Sequence, residues 1–289
     1  MGRIGAHVSA AGGPAEAARR AAELGLECLQ LFVGSPQTWK APSLSDADVE
    51  AGVAAFAAND LRPVFVHASY LINLASLRKE VRGMSRRMLG DQLRWADRIG
   101  ALGVVVHVGS GGEDAFELVV SGLRTVLDSH AGAAAIILEN DAGSGKRIGS
   151  RLAELGEVIT ALGGDERLRV CIDTAHALAS GYELRTAEGL DVAVAELASG
   201  VGLDRIALLH VNDSKTDLGS HVDRHANLGR GKIGAEAFAR ILTHPALSDL
   251  PFVLEVPGYD GGGPDEPNVT ALRLLATGES ELPLPPAQS

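Results

Sequence analysis

RVCIDTAH, residues 169–176, is an apolar, β-branched run that ends on a carboxylate, Asp173, and offers an imidazole three residues later, at His176. The same plan recurs along the chain. PVFVH ends on His67, GVVVH on His107, AIILE on Glu139, IALLH on His210 and FVLE on Glu255. Short apolar runs of this kind read as buried strands. In a parallel barrel the C-terminal ends of all strands converge on one rim, where barrel active sites are built. Six ligand-type side chains ending six successive strands therefore predict one polar, metal-binding floor. Without metal the three carboxylates would repel one another, and bound cations would supply the compensating charge. Mixed imidazole and carboxylate ligation suits zinc, and also manganese or iron.

Around these runs the chain alternates short apolar segments with longer Ala/Leu/Arg/Glu-rich stretches, which is a β-α repeat. Eight strands are expected, at 3–8, 27–32, 63–67, 103–107, 135–139, 169–173, 206–210 and 252–255. Helices are expected between them at 15–25, 45–60, 85–100, 116–130, 150–164, 187–202, 235–245 and 268–279, with Ser45 and Asp48 spaced as a capping box. Eight such units in 289 residues predict a (β/α)8 TIM barrel. The barrel is expected to form a single domain over 1–280, with 281–289 as a flexible Pro-rich tail. The longest connection, 212–234, is expected to be a structureless functional loop.

Composition narrows the class. An apolar fraction of 46% and a charged fraction of 22% describe an ordinary globular protein. No apolar run approaches a membrane span, and the N-terminus carries neither a secretory nor a myristoylation pattern, so a cytoplasmic protein without membrane contact is expected. Cys28 and Cys171 both fall in strand-like runs and read as small buried hydrophobes. The net charge of −11 argues by itself against nucleic-acid binding. Three divalent ions would bring it to −5 and would outweigh the four carboxylates assigned below as ligands, leaving a locally positive floor.

Two further pairs extend the candidate ligand set. Asp173 and His176 face one pocket if the chain turns helically after the strand. Asp223 and His225, two apart in VDRH, can chelate one cation from extended backbone. The nine residues sort into three sites. His67 and His107 would share Glu139 with a second ion that also takes Asp173, His210 and Glu255, and His176, Asp223 and His225 would take a third. Spacing alone does not fix this division. His130 and His244 are expected at helix C-termini, His221 in solvent, and His7 on the rim as a substrate contact. The loop after strand 3 offers Tyr70 and Leu71 as a wedge or as a small satellite core, and the loop after strand 2 brings Gln37 and Trp39 to the same rim.

IGAHVSAAGG, SYLINL, CIDTAHALASGYEL and HVNDSK…DRHANLGRGKIG resemble the motifs of the endonuclease IV family of apurinic/apyrimidinic endonucleases, over residues 3 to about 260. The resemblance implies a trinuclear zinc barrel, with manganese as the alternative at one site. Its substrate would be duplex DNA with abasic sites or blocked 3′ ends. It implies cleavage 5′ of the abasic site to a 3′-hydroxyl and a 5′-deoxyribose phosphate, and 3′-end trimming. Gln37, Tyr70 and Leu71 would be the DNA contacts, with Tyr70 and Leu71 wedging in from the minor groove. Three positions depart from the family pattern: Gln37 where relatives often carry Arg, Ala68 where some carry Asp, and VHVGSG without the Pro of HPG. None is a candidate ligand.

Hydrolysis by a metal-bound hydroxide fits the set, with Glu139 and Glu255 as catalytic residues and the protein acting as a monomer. Two other classes stay open on the residues. One is a sugar isomerase or epimerase, which uses a similar barrel with one or two metals. The other is a metal-dependent DNA-binding protein without catalysis. The pair at Asp223 and His225 argues against the first, and the complete ligand set against the second.

Overall fold

A computed structural model describes residues 1–145 and 147–284. Eight parallel strands close into a barrel. They are β1 (Ile4–His7), β2 (Cys28–Leu31), β3 (Val64–His67), β4 (Gly103–His107), β5 (Ala135–Glu139), β6 (Leu168–Asp173), β7 (Ile206–His210) and β10 (Phe252–Leu254). Two short strands outside the barrel, β8 (Asp213–Ser214) and β9 (His225–Ala226), lie between the last two. Around the barrel the order is β1-β10-β7-β6-β5-β4-β3-β2. The expected TIM barrel is the fold, with strand limits within two residues of those read from sequence. Glu255 lies one residue past its strand.

The helices are α1 (Pro14–Glu23), α2 (Asp46–Ala58), α3 (Lys79–Arg98), α4 (Ala115–Ser129), α5 (Leu152–Ala161), α6 (Thr174–Ser180), α7 (Ala187–Gly200), α8 (Ala235–Thr243) and α9 (Glu266–Ala276). Ser45 and Asp48 close the expected capping box at the start of α2. Two expectations need correction. Helix α3 begins six residues earlier than expected, with half-buried Val81 one turn ahead of buried Ser85. The 212–234 segment is not structureless. It holds β8 and β9 as an antiparallel pair, with Ser214 opposite His225. The Asp213 carboxylate accepts main-chain N–H groups of Ser214, Gly231, Ile233 and Gly234, which ties both ends of the segment together.

Strand alternation sets the site. Inside the barrel lies an apolar layer of Cys28, Phe65, Val105, Ala135, Ile137, Cys171, Leu208 and Val253. In a strand, residues two apart share a face. His67, His107, Glu139, Asp173, His210 and Glu255 therefore follow Phe65, Val105, Ile137, Cys171, Leu208 and Val253 onto the interior at the next level up. By the same rule Gln30 follows Cys28 and His7 follows Gly5. A side chain at Gly5 would collide with Cys28, its Cβ only 2.4 Å from Sγ. Neighbouring strands hold this layer level, with His107 registered against Glu139, Asp173 against His210 and His7 against Gln30. Both cysteines are buried and free.

Among the last described residues, Leu282 packs against the main core and Arg230 donates to the Pro283 carbonyl. Residues 285–289 of the expected tail lie outside the described residues. No helix among the described residues is long and apolar enough to cross a membrane.

Candidate metal centre

The strand ends, α6 and β9 bring eight of the nine candidate ligands into three overlapping groups, and Cys171 forms a fourth with Glu139 and His210. His67, His107 and Glu139 form one; Glu139, Asp173, His210 and Glu255 a second; Asp173, His176 and His225 a third. Asp223 completes the third, its oxygens each 3.3 Å from Nε2 of His176 and of His225. Glu139 belongs to the first two groups and Asp173 to the last two. The second overlap was not readable from spacing. It arises because Asp173 is both the end of β6 and the N-cap of α6. Its Oδ1 accepts the His176 N–H at 2.8 Å, so the helical turn places Asp173 and His176 on one pocket.

Local hydrogen bonds aim the imidazoles. A ligating histidine commonly donates its second ring N–H to a fixed acceptor, which leaves the other nitrogen for the metal. Here Nδ1–H of His67 donates to the Ala68 carbonyl at 2.8 Å, that of His176 to the Asn140 carbonyl at 3.0 Å, and that of His225 to the Glu255 carbonyl at 3.3 Å. Each Nε2 then faces carboxylates: His67 faces Glu139 at 3.5 Å and His225 faces Asp173 at 3.7 Å. His107 Nε2 lies 3.3 Å from the same Glu139 oxygen. His210 is turned the other way, with Nδ1 2.8 Å from Glu139 and 3.2 Å from Glu255.

Glu139 Oε2 and His225 Nε2 are buried with no hydrogen-bond partner among the described residues. A buried carboxylate oxygen facing two imidazole nitrogens across 3.3–3.5 Å is poorly satisfied by protein alone. It is the environment a divalent cation would complete. The donor set of imidazoles and carboxylates, with most of the imidazoles backed by a fixed partner, fits such ions.

The electrostatics agree. Burial pushes Glu139 up, but the His107 and His210 imidazoles override it and hold its carboxyl well below the usual range. Burial pulls His176 down, and Asp173, Asp223 and Glu139 outweigh it and raise it well above 6.5. Burial also works against Asp223, yet His176 holds it at about 2. His7 is lowered by burial, only partly offset by Glu255.

Several positioning residues escaped the sequence reading. Gln30 bridges His7, His210 and Glu255. Asn212 donates to Asp173 Oδ2 at 2.6 Å and accepts the Glu255 N–H at 2.8 Å. The Asn140 amide pairs with the Asp173 main chain. Gln30 lies one residue before the end of β2, so the strand-end rule passes over it, and its only signal is a polar residue inside the apolar run CLQLF. Asn140 and Asn212 follow ligand residues within two positions, and nothing in composition marks them.

Above the centre opens a cavity of about 970 Å³, lined by His7, Phe32, Tyr70, Arg224, Glu255 and the 261–263 glycines, among others. Tyr70 is 60% exposed on its edge, while Leu71 is half-buried. Pro36 binds the two rim loops together, its carbonyl accepting from Ser69 Oγ at 2.7 Å and Tyr70 N at 3.1 Å. Gln37, the next residue, is exposed. His221 is exposed, and His130 and His244 cap α4 and α8 at their C-termini, as expected.

Residues 18–277 match the family described as xylose isomerase-like TIM barrel. A relative from Halorhodospira halophila, named Probable endonuclease 4, is 40% identical and covers 98% of this chain and 97% of its own. The crystal structure of endonuclease IV from Thermus thermophilus superposes with a TM-score of 0.84 at 39% identity, over 96% of this chain and 98% of that one. A D-psicose 3-epimerase from Clostridium cellulolyticum superposes at 0.64 with 16% identity, covering 96% and 92%, and shares the barrel alone.

Proposed function

The chain belongs to the endonuclease IV family, and from that premise we propose that it is a DNA-repair hydrolase that cuts duplex DNA 5′ of abasic sites. Cleavage leaves a 3′-hydroxyl and a 5′-deoxyribose phosphate, and the same site trims blocked 3′ ends. The observation that carries this reading is the third group, His176, His225 and Asp223, built on α6 and the 212–234 segment. A sugar isomerase barrel with one or two metals has no use for it.

Three zinc ions, with manganese as the alternative at one site, would neutralise the phosphate, activate water and stabilise the leaving oxygen. His67, His107 and Glu139 would hold the first. Glu139, Asp173, His210 and Glu255 would hold the second, and His176, Asp223 and His225 the third. Glu139 couples the first two groups, so its carboxylate fixes their spacing. Glu255 is anchored through Oε1 by Gln30 at 2.6 Å and lines the cavity, which leaves Oε2 to ligate and to orient the attacking water. Tyr70, Leu71 and Gln37 contact the DNA beside the lesion. An abasic nucleotide has no base to unstack, so its extrusion into the cavity costs little and gives selectivity. Residues 1–280 act as one domain, as a monomer, in the cytoplasm where the nucleoid lies, and not at a membrane.

The test is a duplex oligonucleotide carrying one tetrahydrofuran abasic analogue, which cannot undergo β-elimination. We expect a single nick 5′ of the analogue, lost after chelator treatment and restored by zinc or manganese. Metal-loaded protein that leaves this duplex intact and turns over an aldose would move the assignment to the isomerase class.

A further inference from the structure

Gln30 is fully buried in the barrel interior. Its amide reaches groups on β1, on β7 and just past the end of β10. Nε2 lies 2.6 Å from Glu255 Oε1 and 3.1 Å from His7 Nδ1, and Oε1 lies 3.0 Å from His210 Nε2. These contacts determine one another. An ionised carboxylate only accepts, so the amide end facing Glu255 is the NH2. The opposite end is then the carbonyl oxygen, which only accepts, so His210 Nε2 carries the proton. The second amide hydrogen goes to His7, whose Nδ1 is therefore the acceptor and whose Nε2 carries the hydrogen.

The other fixed imidazoles take their tautomer from main-chain carbonyls, which almost any sequence would supply. His210 takes it from Gln30, and among the described residues no main-chain carbonyl accepts from its ring. We propose that Gln30 is the positioning residue of this metal centre: it sets His210 as the Nε2–H tautomer with the Nδ1 lone pair facing Glu139 and Glu255, and it immobilises one oxygen of Glu255 so that the other is free for an ion. The inference rests on the metal-binding part of the function proposed above. Gln30 touches neither substrate nor reacting atoms, and acts through His210 and Glu255.

The test compares wild type with Gln30→Met, which keeps shape without the amide, and Gln30→Glu, which keeps an acceptor for His210 but loses both donors. Zinc affinity is measured by competition with a chromophoric chelator. Histidine tautomers are read by ¹⁵N NMR of zinc-loaded protein. Gln30→Met should weaken one of the bound ions by roughly 10–100-fold, the usual effect of removing a group that orients a metal ligand. It should turn His210 from a single Nε2–H form into a mixture, and lower kcat on the abasic duplex with KM unchanged. Gln30→Glu should keep the His210 tautomer and still weaken the ion, through Glu255. A folded Gln30→Met protein with wild-type zinc affinity and an unchanged ¹⁵N pattern would overturn the proposal. If that variant does not fold, wild-type zinc affinity in Gln30→Glu overturns it instead. Zinc loss in Gln30→Met from a wild type that does not nick DNA would uphold this inference and reject the nuclease reading. The reverse outcome would reject this inference alone.

Discussion

The ring of Tyr70 stands edge-on to the imidazole of His67, with 5.8 Å between centroids at 61°. An exposed rim residue thus leans directly on a buried member of the first ligand group, and Phe32 braces both rings from the side at 5.3 and 5.5 Å. The part of the molecule proposed to touch DNA and the part proposed to cut it are one packed unit.

Replacing Tyr70 with Ala should therefore weaken binding without emptying the site. An aromatic that stacks on bases contributes about 1–3 kcal/mol, so affinity for an abasic duplex should fall roughly 5- to 150-fold. Fluorescence anisotropy against lesion and intact duplex checks it, with metal content measured in parallel. Equal affinity of variant and wild type for the abasic duplex would remove Tyr70 from the DNA interface.

Glu139 is the one side chain shared by the first two groups. Glu139→Gln keeps its shape and removes its charge from beside His67, His107 and His210. Turnover should drop by at least about 100-fold, with the circular dichroism spectrum retained. Near-normal nicking by a variant with full metal content would end the role given to this residue.

Stripping the metal should expose a pH dependence whose sign follows from the site. Against the cost of burial, Asp173, Asp223 and Glu139 hold His176, and Cys171, Glu255 and Glu139 hold His210, well above their ordinary 6.5. Their contribution to stability is complete below 6.5 and is lost as pH rises through the raised values. Glu139 is held well below its ordinary 4.5 and Asp223 at about 2, so their contribution is complete above 4.5 and is lost as pH falls through the lowered values. Burial lowers His7 and His107, which act the other way, but the larger shifts of His176 and His210 outweigh them, so metal-free protein should be most stable between 4.5 and 6.5 and melt lower on going to about pH 8.5. Zinc competes with protons for the same imidazoles, so added zinc should raise the melting temperature more at the higher pH. Calorimetry at several pH values, with and without zinc, decides it. A stripped protein whose melting temperature climbs steadily from about pH 6 to about 8.5 contradicts the assignment.

Asp213 should govern the third group although it is no ligand. Its buried carboxylate accepts four main-chain N–H groups that close the 212–234 segment, and Gly231 passes so near that a Cβ there would lie 2.5 Å from Oδ1. Asp213→Ala leaves these donors without their acceptor, which should cost roughly 2–4 kcal/mol. We expect a lower melting temperature, proteolytic nicking within 212–234, and loss of one ion. A variant as protease-resistant as wild type would show that β8 and β9 hold the segment without it.

Much of this protein was legible in the chain. Periodicity pointed to the eight strands, and the recurrence of a ligand type at the strand end pointed to the rim, because both are local properties repeated at regular intervals. The start of α3 was misplaced because RKEVRG carries no capping signal. The pairing of β8 with β9 was missed because two residues are too few to show an alternation.

The sequence by itself determined which side chains face inward and at what level, since a strand of known direction and period 2 leaves no choice. Only the tertiary structure decided how those side chains share the floor. That Asp173 joins two groups, that His210 turns Nδ1 inward while its fellows turn Nε2, and that Gln30 holds His7, His210 and Glu255 together all depend on closing the barrel. Closure brings β2, β7 and β10 within hydrogen-bond reach across the interior, and no spacing along the chain encodes a distance between residues 30 and 210.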